Sequence, residues 1–300
     1  MKLKSLRLMT PVERLRIYEK VQMLHANKLS INKISRVLKI TPKTVKHLIK
    51  NRPSLRYGFF KPKPCRELSY IIGVCFGDAS LYKQKNYHYK IELRAKDKEF
   101  VEKFSYCLAF ILDKKPNKIY EDGKYFRIQV GCKSLYNFLA GKKLKDLKYV
   151  IEKYPKEFLQ GLFDSEGCPH VEANKGFVVK VGLVSTSLEL LKYVKQLLKK
   201  FKIDSKITMC IKPGSSCTFD KKRIVRKKYV YRLIVHKFCN TKKFAVKIGF
   251  TSKRKQEKLV HAIFIKESSK SQKEAVCKWK FLYKKVGREW LKINNGYKIT

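Results

Sequence analysis

Acidic residues are what this chain has least of for its size: twenty-four Asp and Glu stand against seventy-one Lys and Arg, a formal charge of +47 over 300 residues. A field of that sign favours a polyanionic partner. No apolar run approaches the ~20 residues that a membrane-spanning helix needs, and no apolar stretch follows the basic start as it would in a signal peptide. An intracellular, cytoplasmic protein (organellar in a eukaryote) without a membrane partner is therefore expected. The nine cysteines are odd in number and scattered, with no CxxC pair and no Cys/His array of zinc spacing. They read as reduced thiols rather than a disulfide framework or a zinc site. The ends show neither a Cys or Ser start nor a His-Asn finish, so intein splicing is not expected.

What is present is an apolar share of 44%, enough for real cores and, at this length, for two domains. The basic residues run the whole length of the chain and alternate with apolar ones at strand period in several places. That spacing suits a nucleic-acid groove better than a lipid-binding helix. A lysine-rich composition accounts for part of the excess.

From Pro11 the pattern is helical, and Ile31 to Lys50 reads as a helix-turn-helix. Ile34, Val37 and Leu38 form one apolar face, Ile40 sits in the turn, and Thr41-Pro42 supplies N-cap and first residue of a second helix that turns Val45, Leu48 and Ile49 inward. Lys43, Lys46 and Lys50 are left outward, where a helix-turn-helix meets DNA. A small helical bundle that only packs would show the same pattern. Three prolines and a glycine between Asn51 and Pro64 end it, so residues 1–52 read as one domain and 53–65 as a linker that Phe59 and Phe60 could pin.

Two later stretches share one grammar. Ile71 to Ser80 (IIGVCFGDAS) and Phe158 to Gly167 (FLQGLFDSEG) each run apolar, glycine, apolar, then small–acid–small. Aligned, Gly73 matches Gly161, Gly77 matches Ser165 and Asp78 matches Glu166. A mid-helix glycine costs about 1 kcal/mol against alanine, so a matched pair asks for a compensating close approach of two helices. Crossing at Gly73 and Gly161 would bring Asp78 and Glu166 out side by side at the helix C-termini. There, like charge and both helix dipoles oppose them unless cations intervene.

This pair of motifs resembles the LAGLIDADG homing endonucleases. The resemblance implies an α+β fold of two pseudo-symmetric αββαββα repeats forming a DNA-binding saddle, here residues 66–154 and 155–265, preceded by the helix-turn-helix. It departs from the family pattern at Phe76, where Asp is frequent, and at Ala79, where Gly is usual. It implies a monomeric nuclease with Asp78 and Glu166 as catalytic acids. Together with the carbonyls of Gly77 and Ser165 these would hold Mg2+ or Mn2+, and Lys96 would be the basic residue flanking the first acid. The matching segment of the second repeat offers Thr186 instead, which could make cutting of the two strands unequal. A staggered break across the minor groove of a long, tolerant target, usually an intron-free allele, is the activity implied. Two alternatives share the scaffold: a maturase binding intron RNA, and a DNA-binding regulator that does not cut.

Strand periodicity supplies the surface. After a turn through Tyr82 to Tyr87, alternation over Tyr89 to Arg94 puts Lys90 and Arg94 opposite Ile91 and Leu93; over Tyr125 to Val130 it puts Tyr125, Arg127 and Gln129 opposite Phe126, Ile128 and Val130. On such a face Arg and Lys can read guanine and Gln adenine; simple solvation explains each residue taken singly. Lys180 and Arg232 hold similar places in the second repeat. Pro213 to Lys228 reads as a long basic loop that offers Lys222 and Arg223 to flanking DNA, and Lys253 and Lys255 lie where backbone phosphates could be met. Residues 266–300 read as a helical extension interrupted by Gly287, with no assigned role.

Overall fold

The computed structural model of the chain describes residues 5, 6, 9, 11–51, 60–84, 88–219, 222–287 and 289–293. Three helices come first: α1 (Pro11–Ala26), α2 (Ile31–Leu38) and α3 (Pro42–Lys50). Capping fixes their ends. The Ser30 hydroxyl accepts from Lys33 N–H, the Thr41 hydroxyl accepts from Thr44 N–H, and Pro42 occupies the first turn, where its missing N–H is not needed. Val21, Ile34, Ile40, Val45 and Leu48 are fully buried against one another, and Ser35 Oγ donates 2.6 Å to the Ile40 carbonyl across the turn. Val37, expected inward, is 60% exposed, so the apolar stripe is narrower than the spacing suggests. Most of the expected linker, 52–59, lies outside the described residues, Phe59 included. Phe60 is buried, its ring 5.1 Å from that of Phe138.

The first repeat runs α4 (Arg66–Cys75), β1 (Ser80–Gln84), β2 (His88–Ala95), α5 (Lys98–Ile111), β3 (Tyr120–Asp122), β4 (Tyr125–Gly131), α6 (Lys133–Leu139) and α7 (Leu144–Ile151). The second runs α8 (Pro155–Glu166), β5 (Gly167–Ala173), β6 (Phe177–Ser185), α9 (Leu188–Lys200), β7 (Lys206–Ile211), β8 (Ser216–Phe219), β9 (Lys222–Val225), β10 (Val230–Val235), α10 (Phe238–Lys247) and α11 (Lys253–Ser268). Each repeat builds an antiparallel sheet in the same order, β1-β2-β4-β3 and β5-β6-β10-β7. Period-two alternation sorts the faces: Ile91, Leu93, Ile128 and Val130 are buried on one side of the first sheet, as Val179, Val181, Leu233 and Val235 are in the second. One core joins both repeats.

Three segments differ from expectation. Tyr82 lies within β1 rather than in a turn, and 85–87 fall outside the described residues. The stretch from Pro213 to Lys228 contains a two-stranded ribbon, β8 paired with β9, in place of an open loop. The C-terminal extension is only partly helical: α12 (Gln272–Leu282) gives way to a hairpin of β11 (Tyr283–Val286) and β12 (Glu289–Lys292) across Gly287, whose φ of +60° suits glycine. The boundary expected at 265 falls inside α11.

That extension packs on the second repeat. Trp279 is fully buried, stacked on Tyr283 at 3.9 Å and tilted against Phe177 at 5.8 Å. Trp290 Nε1 donates to the Val171 carbonyl at 3.0 Å, and Gln272 Oε1 accepts from Phe177 N–H at 2.7 Å. The first bond satisfies a carbonyl of β5, an edge strand that would otherwise present unpaired groups, and the second an N–H at the start of β6.

Candidate active site

The site begins with two helices whose central turns are buried. α4 buries every side chain from Leu68 to Val74, and α8 buries Phe158, Leu159 and the run from Gly161 to Asp164. Turns buried in this way have neighbours on every side, and here each helix packs directly on the other. A Cβ on Gly73 would overlap the Phe158 carbonyl oxygen and lie 2.9 Å from the Leu162 nitrogen; one on Gly161 would overlap the Tyr70 carbonyl oxygen and lie 3.2 Å from its carbon. The glycines are thus required because backbone meets backbone. At Gly77 a Cβ would come within 2.9 Å of Ser165 Oγ and 3.2 Å of Glu166 Cγ.

The crossing delivers the two acids to one place. Glu166 is the last residue of α8, whereas Asp78 stands three residues past the end of α4 in a turn that Gly77 and Ala79 N–H close on the Val74 carbonyl. Both carboxyls are open to solvent, yet partial burial holds both above the usual carboxylate range. Repulsion from Asp78 adds to the rise at Glu166, and the nearby Lys255 ammonium opposes it at both. The charge is under-compensated, which suits an additional cation.

Lys255 is brought here by the N-terminus of α11. Ser252 caps that helix, accepting from Lys255 N–H, and Lys255 Nζ donates to the Asp164 carbonyl at 2.5 Å. Half-buried, this lysine is pushed below its ordinary pKa by desolvation, against the pull of the Asp164 and Asp97 charges. Asp164 itself is buried, accepting 2.8 Å from Tyr70 O–H and 2.7 Å from Thr251 N–H. Its neighbour Arg254 clasps Asp97 of the first repeat with both Nε and Nη2, at 3.0 and 3.2 Å. The start of α11 therefore ties the second repeat to the first beside the acids.

Lys96 is exposed at the end of β2, its Nζ 6.0 Å above the Tyr125 ring. The cation that the electrostatics of Asp78 and Glu166 register is Lys255, placed in the sequence reading only among phosphate contacts. No local signal could have moved it: its position depends on a helix that begins 87 residues after Glu166.

The open face of the first sheet carries the expected residues already engaged with one another. Arg127 makes a two-point bond to Glu92 at 2.9 and 3.0 Å, Gln129 bonds Glu92 and Tyr82, and Lys90 reaches Gln129 at 3.3 Å. Burial raises Glu92, but donors from Arg127, Tyr82 and Gln129 outweigh it and hold the carboxyl low. Arg94 pairs with Asp122 at 3.0 Å and lies over Tyr125. Glu92 and Asp122, absent from the expected set, thus fix the direction of Arg127, Gln129 and Arg94, and Lys90 follows through Gln129. Lys180 pairs with Glu172 at 2.9 Å; Arg232, Lys253 and, on α3, Lys43, Lys46 and Lys50 are exposed, while Lys222 and Arg223 open β9.

Among the described residues no helix is long and apolar enough to cross a membrane, and no group of three or more His, Cys, Asp or Glu could cage a metal. Comparison with known proteins places the chain. Residues 153–249 match the LAGLIDADG-like domain family. The uncharacterized protein MJ0398 of Methanocaldococcus jannaschii is 37% identical over 233 residues, covering 75% of this chain and 83% of that protein. A second uncharacterized protein of that organism, MJ0314, is 29% identical over 61% of this chain and 67% of its own length. Among solved structures, I-DmoI in complex with DNA and Mn is similar at 18% identity and a TM-score of 0.44, over 61% of this chain and 96% of that one. Full-length WhiA from Thermatoga maritima is similar at 16% identity and 0.43, over 74% and 68%. With a family match over the second repeat and a relative of this identity over most of both chains, the protein belongs to the LAGLIDADG family.

Proposed function

We propose that this chain is a site-specific DNA endonuclease of the homing type, cutting both strands of a long target with a divalent metal. One observation carries the reading: the glycine-enforced crossing places Asp78 and Glu166 together with their charge under-compensated, beside a half-buried lysine. A scaffold that only bound nucleic acid would gain nothing from such a cluster, which costs stability in the free protein.

The residues fit a magnesium or manganese ion shared with substrate. Magnesium is usually held by one or two carboxylates plus substrate phosphates, keeping several waters. Two acids, with no third His, Cys, Asp or Glu grouped with them among the described residues, match that habit better than a protein-only cage. The carbonyls of Gly77 and Ser165 are the proposed supplementary donors. When bound, the ion supplies Lewis acidity toward the scissile phosphates. The protein's own share is positioning: Asp78 and Glu166 would hold the ion at the scissile phosphates, and Lys255, with its depressed pKa, stabilises charge at the phosphate or exchanges a proton there. Lys96 is retained as an outer phosphate contact. The net charge of +47 draws duplex DNA to both sheets, and the pre-oriented set of Arg94, Arg127 and Gln129 is proposed to read base edges. The N-terminal three-helix unit adds DNA contacts through Lys43, Lys46 and Lys50, and one chain carries both acids, so a monomer suffices.

The test is cleavage of a plasmid library with randomised inserts in magnesium, with broken ends captured and sequenced. Recurrent staggered ends are expected from the wild type and none from Glu166→Gln, which should still bind DNA. Equal cutting by both proteins would refute the role of Glu166; DNA binding without any cutting would leave the regulator reading in its place.

A further inference from the structure

The two halves of the site are not equivalent. Matching the repeats by motif position, and by the residue that caps the helix after the second strand, carries Asp78 onto Glu166, Asp164 onto Phe76, Lys96 onto Thr186 and Asp97 onto Ser187. On the Asp78 side the space between these elements is occupied by the start of α11: Lys255 bonds the Asp164 carbonyl and Arg254 bonds Asp97. On the Glu166 side the corresponding walls, Phe76, Leu162, Glu166, Leu183 to Thr186 and Leu190, enclose a cavity of about 280 Å³.

The sequence explains why nothing equivalent fills it. Phe76 offers no carboxylate where Asp164 accepts the Thr251 N–H, and Ser187 offers none where Asp97 receives Arg254. The first-repeat counterpart of α11 is α7, and the position three residues after its N-cap is Asp146 where α11 has Lys255. Asp146 is turned back on its own helix, accepting from Lys143 N–H at 3.0 Å. Beside Glu166 an acid would be repelled.

Among the described residues that line the cavity, one is cationic: Arg226. It stands at the foot of the β8–β9 ribbon, an insertion without counterpart in the first repeat. Its backbone is anchored there, N–H donating to the Ser215 carbonyl at 2.9 Å and carbonyl accepting from Gly214 N–H at 2.9 Å. Its side chain is exposed.

We propose that Arg226 is the catalytic cation for the strand facing Glu166, doing from the ribbon what Lys255 does from α11 for the strand facing Asp78. This rests on the nuclease reading above. Hydrolysis adds water across the P–O3′ bond: the water oxygen bonds phosphorus, O3′ leaves and takes up a proton, and the water proton passes to solvent. A guanidinium cannot serve as the base in that step, so Arg226 acts only on the charge that builds at phosphorus. Its fork geometry suits two phosphate oxygens at once. The two strands are then cut by differently built half-sites, one pre-assembled and the other completed by the ribbon.

The experiment uses the full chain, a supercoiled plasmid carrying a target recovered from the library selection, and a duplex of that target with each strand end-labelled in turn. Rates are taken at saturating protein with magnesium. Arg226→Ala should accumulate nicked circle, with one labelled strand cut about a hundredfold more slowly and the other near the wild-type rate; Arg226→Lys should recover part of the loss. Lys255→Met should show the opposite strand preference. Equal slowing of both strands by Arg226→Ala would make Arg226 a binding residue and overturn the proposal, as would wild-type rates on both. A wild type that cuts neither strand overturns the nuclease reading itself and this assignment with it, so the wild-type lane separates the two failures.

Discussion

Replacing Gly161 with alanine puts the helix crossing to a quantitative test. Its Cβ would sit on the Tyr70 carbonyl oxygen, 3.2 Å from the carbonyl carbon and 3.2 Å from Val74 Cγ2. Overpacking a core position costs about 1–3 kcal/mol, less where a side chain can rotate away. Here the obstacle is helical backbone, so the upper end, about 3 kcal/mol, applies. Alanine returns about 1 kcal/mol through helix propensity. The net loss is about 2 kcal/mol, or about 4–8 °C in Tm for a unit of this size. Thermal unfolding followed by circular dichroism reads it, with Gly131→Ala as control, since the nearest non-local atom to a Cβ there is the Tyr89 carbonyl oxygen at 3.8 Å. Gly73→Ala should behave like Gly161→Ala, and both should lose cleavage beyond the stability loss, because parting the helices parts Asp78 from Glu166. A Gly161→Ala protein as stable as wild type would show that the helices do not pack backbone to backbone, and the argument for paired acids would go with it.

Other outcomes follow from the same contacts. Asp78→Asn should raise the Tm of the metal-free protein at neutral pH while abolishing cleavage. Its carboxyl and that of Glu166 both have raised folded pKa values, so the stability that their protonated forms contribute is lost as pH rises through those values, and the gain should fade in acid. Tyr70→Phe removes a hydrogen bond to the buried Asp164 carboxyl and should cost about 1.5–3 kcal/mol. Asp164 is also raised by burial, so in urea titrations that penalty should be largest above its folded pKa and shrink below it. Trp279→Ala should cost about 3–5 kcal/mol and expose the β5 edge to faster amide exchange; a mild effect would mean that the C-terminal hairpin is an independent appendage.

Much of the fold was legible because it depends on local patterns. Period-two alternation over Tyr125 to Val130 sorted the faces correctly, since burial on one side of a sheet leaves no other register open. Thr41-Pro42 marked a helix start through capping chemistry alone. The ribbon between Pro213 and Lys228 was missed because its strands are only four residues each and pair only with each other. The C-terminal hairpin was obscured by aromatics that fit helix and strand alike until Trp279 is seen stacked on Tyr283.

By itself the sequence pointed to two helices crossing at glycine with an acid at or just beyond the end of each, because a repeated spacing of small, apolar and charged residues has few physical uses. It also favoured a polyanionic partner, since net charge needs no coordinates. Only the tertiary structure decided which cation stands near those acids, which basic side chains on the sheet are already held by Glu92 and Asp122, and that one half of the site is filled while the other is open. Those are contacts between residues far apart in the chain, and local patterns do not encode the distance between ends of different helices.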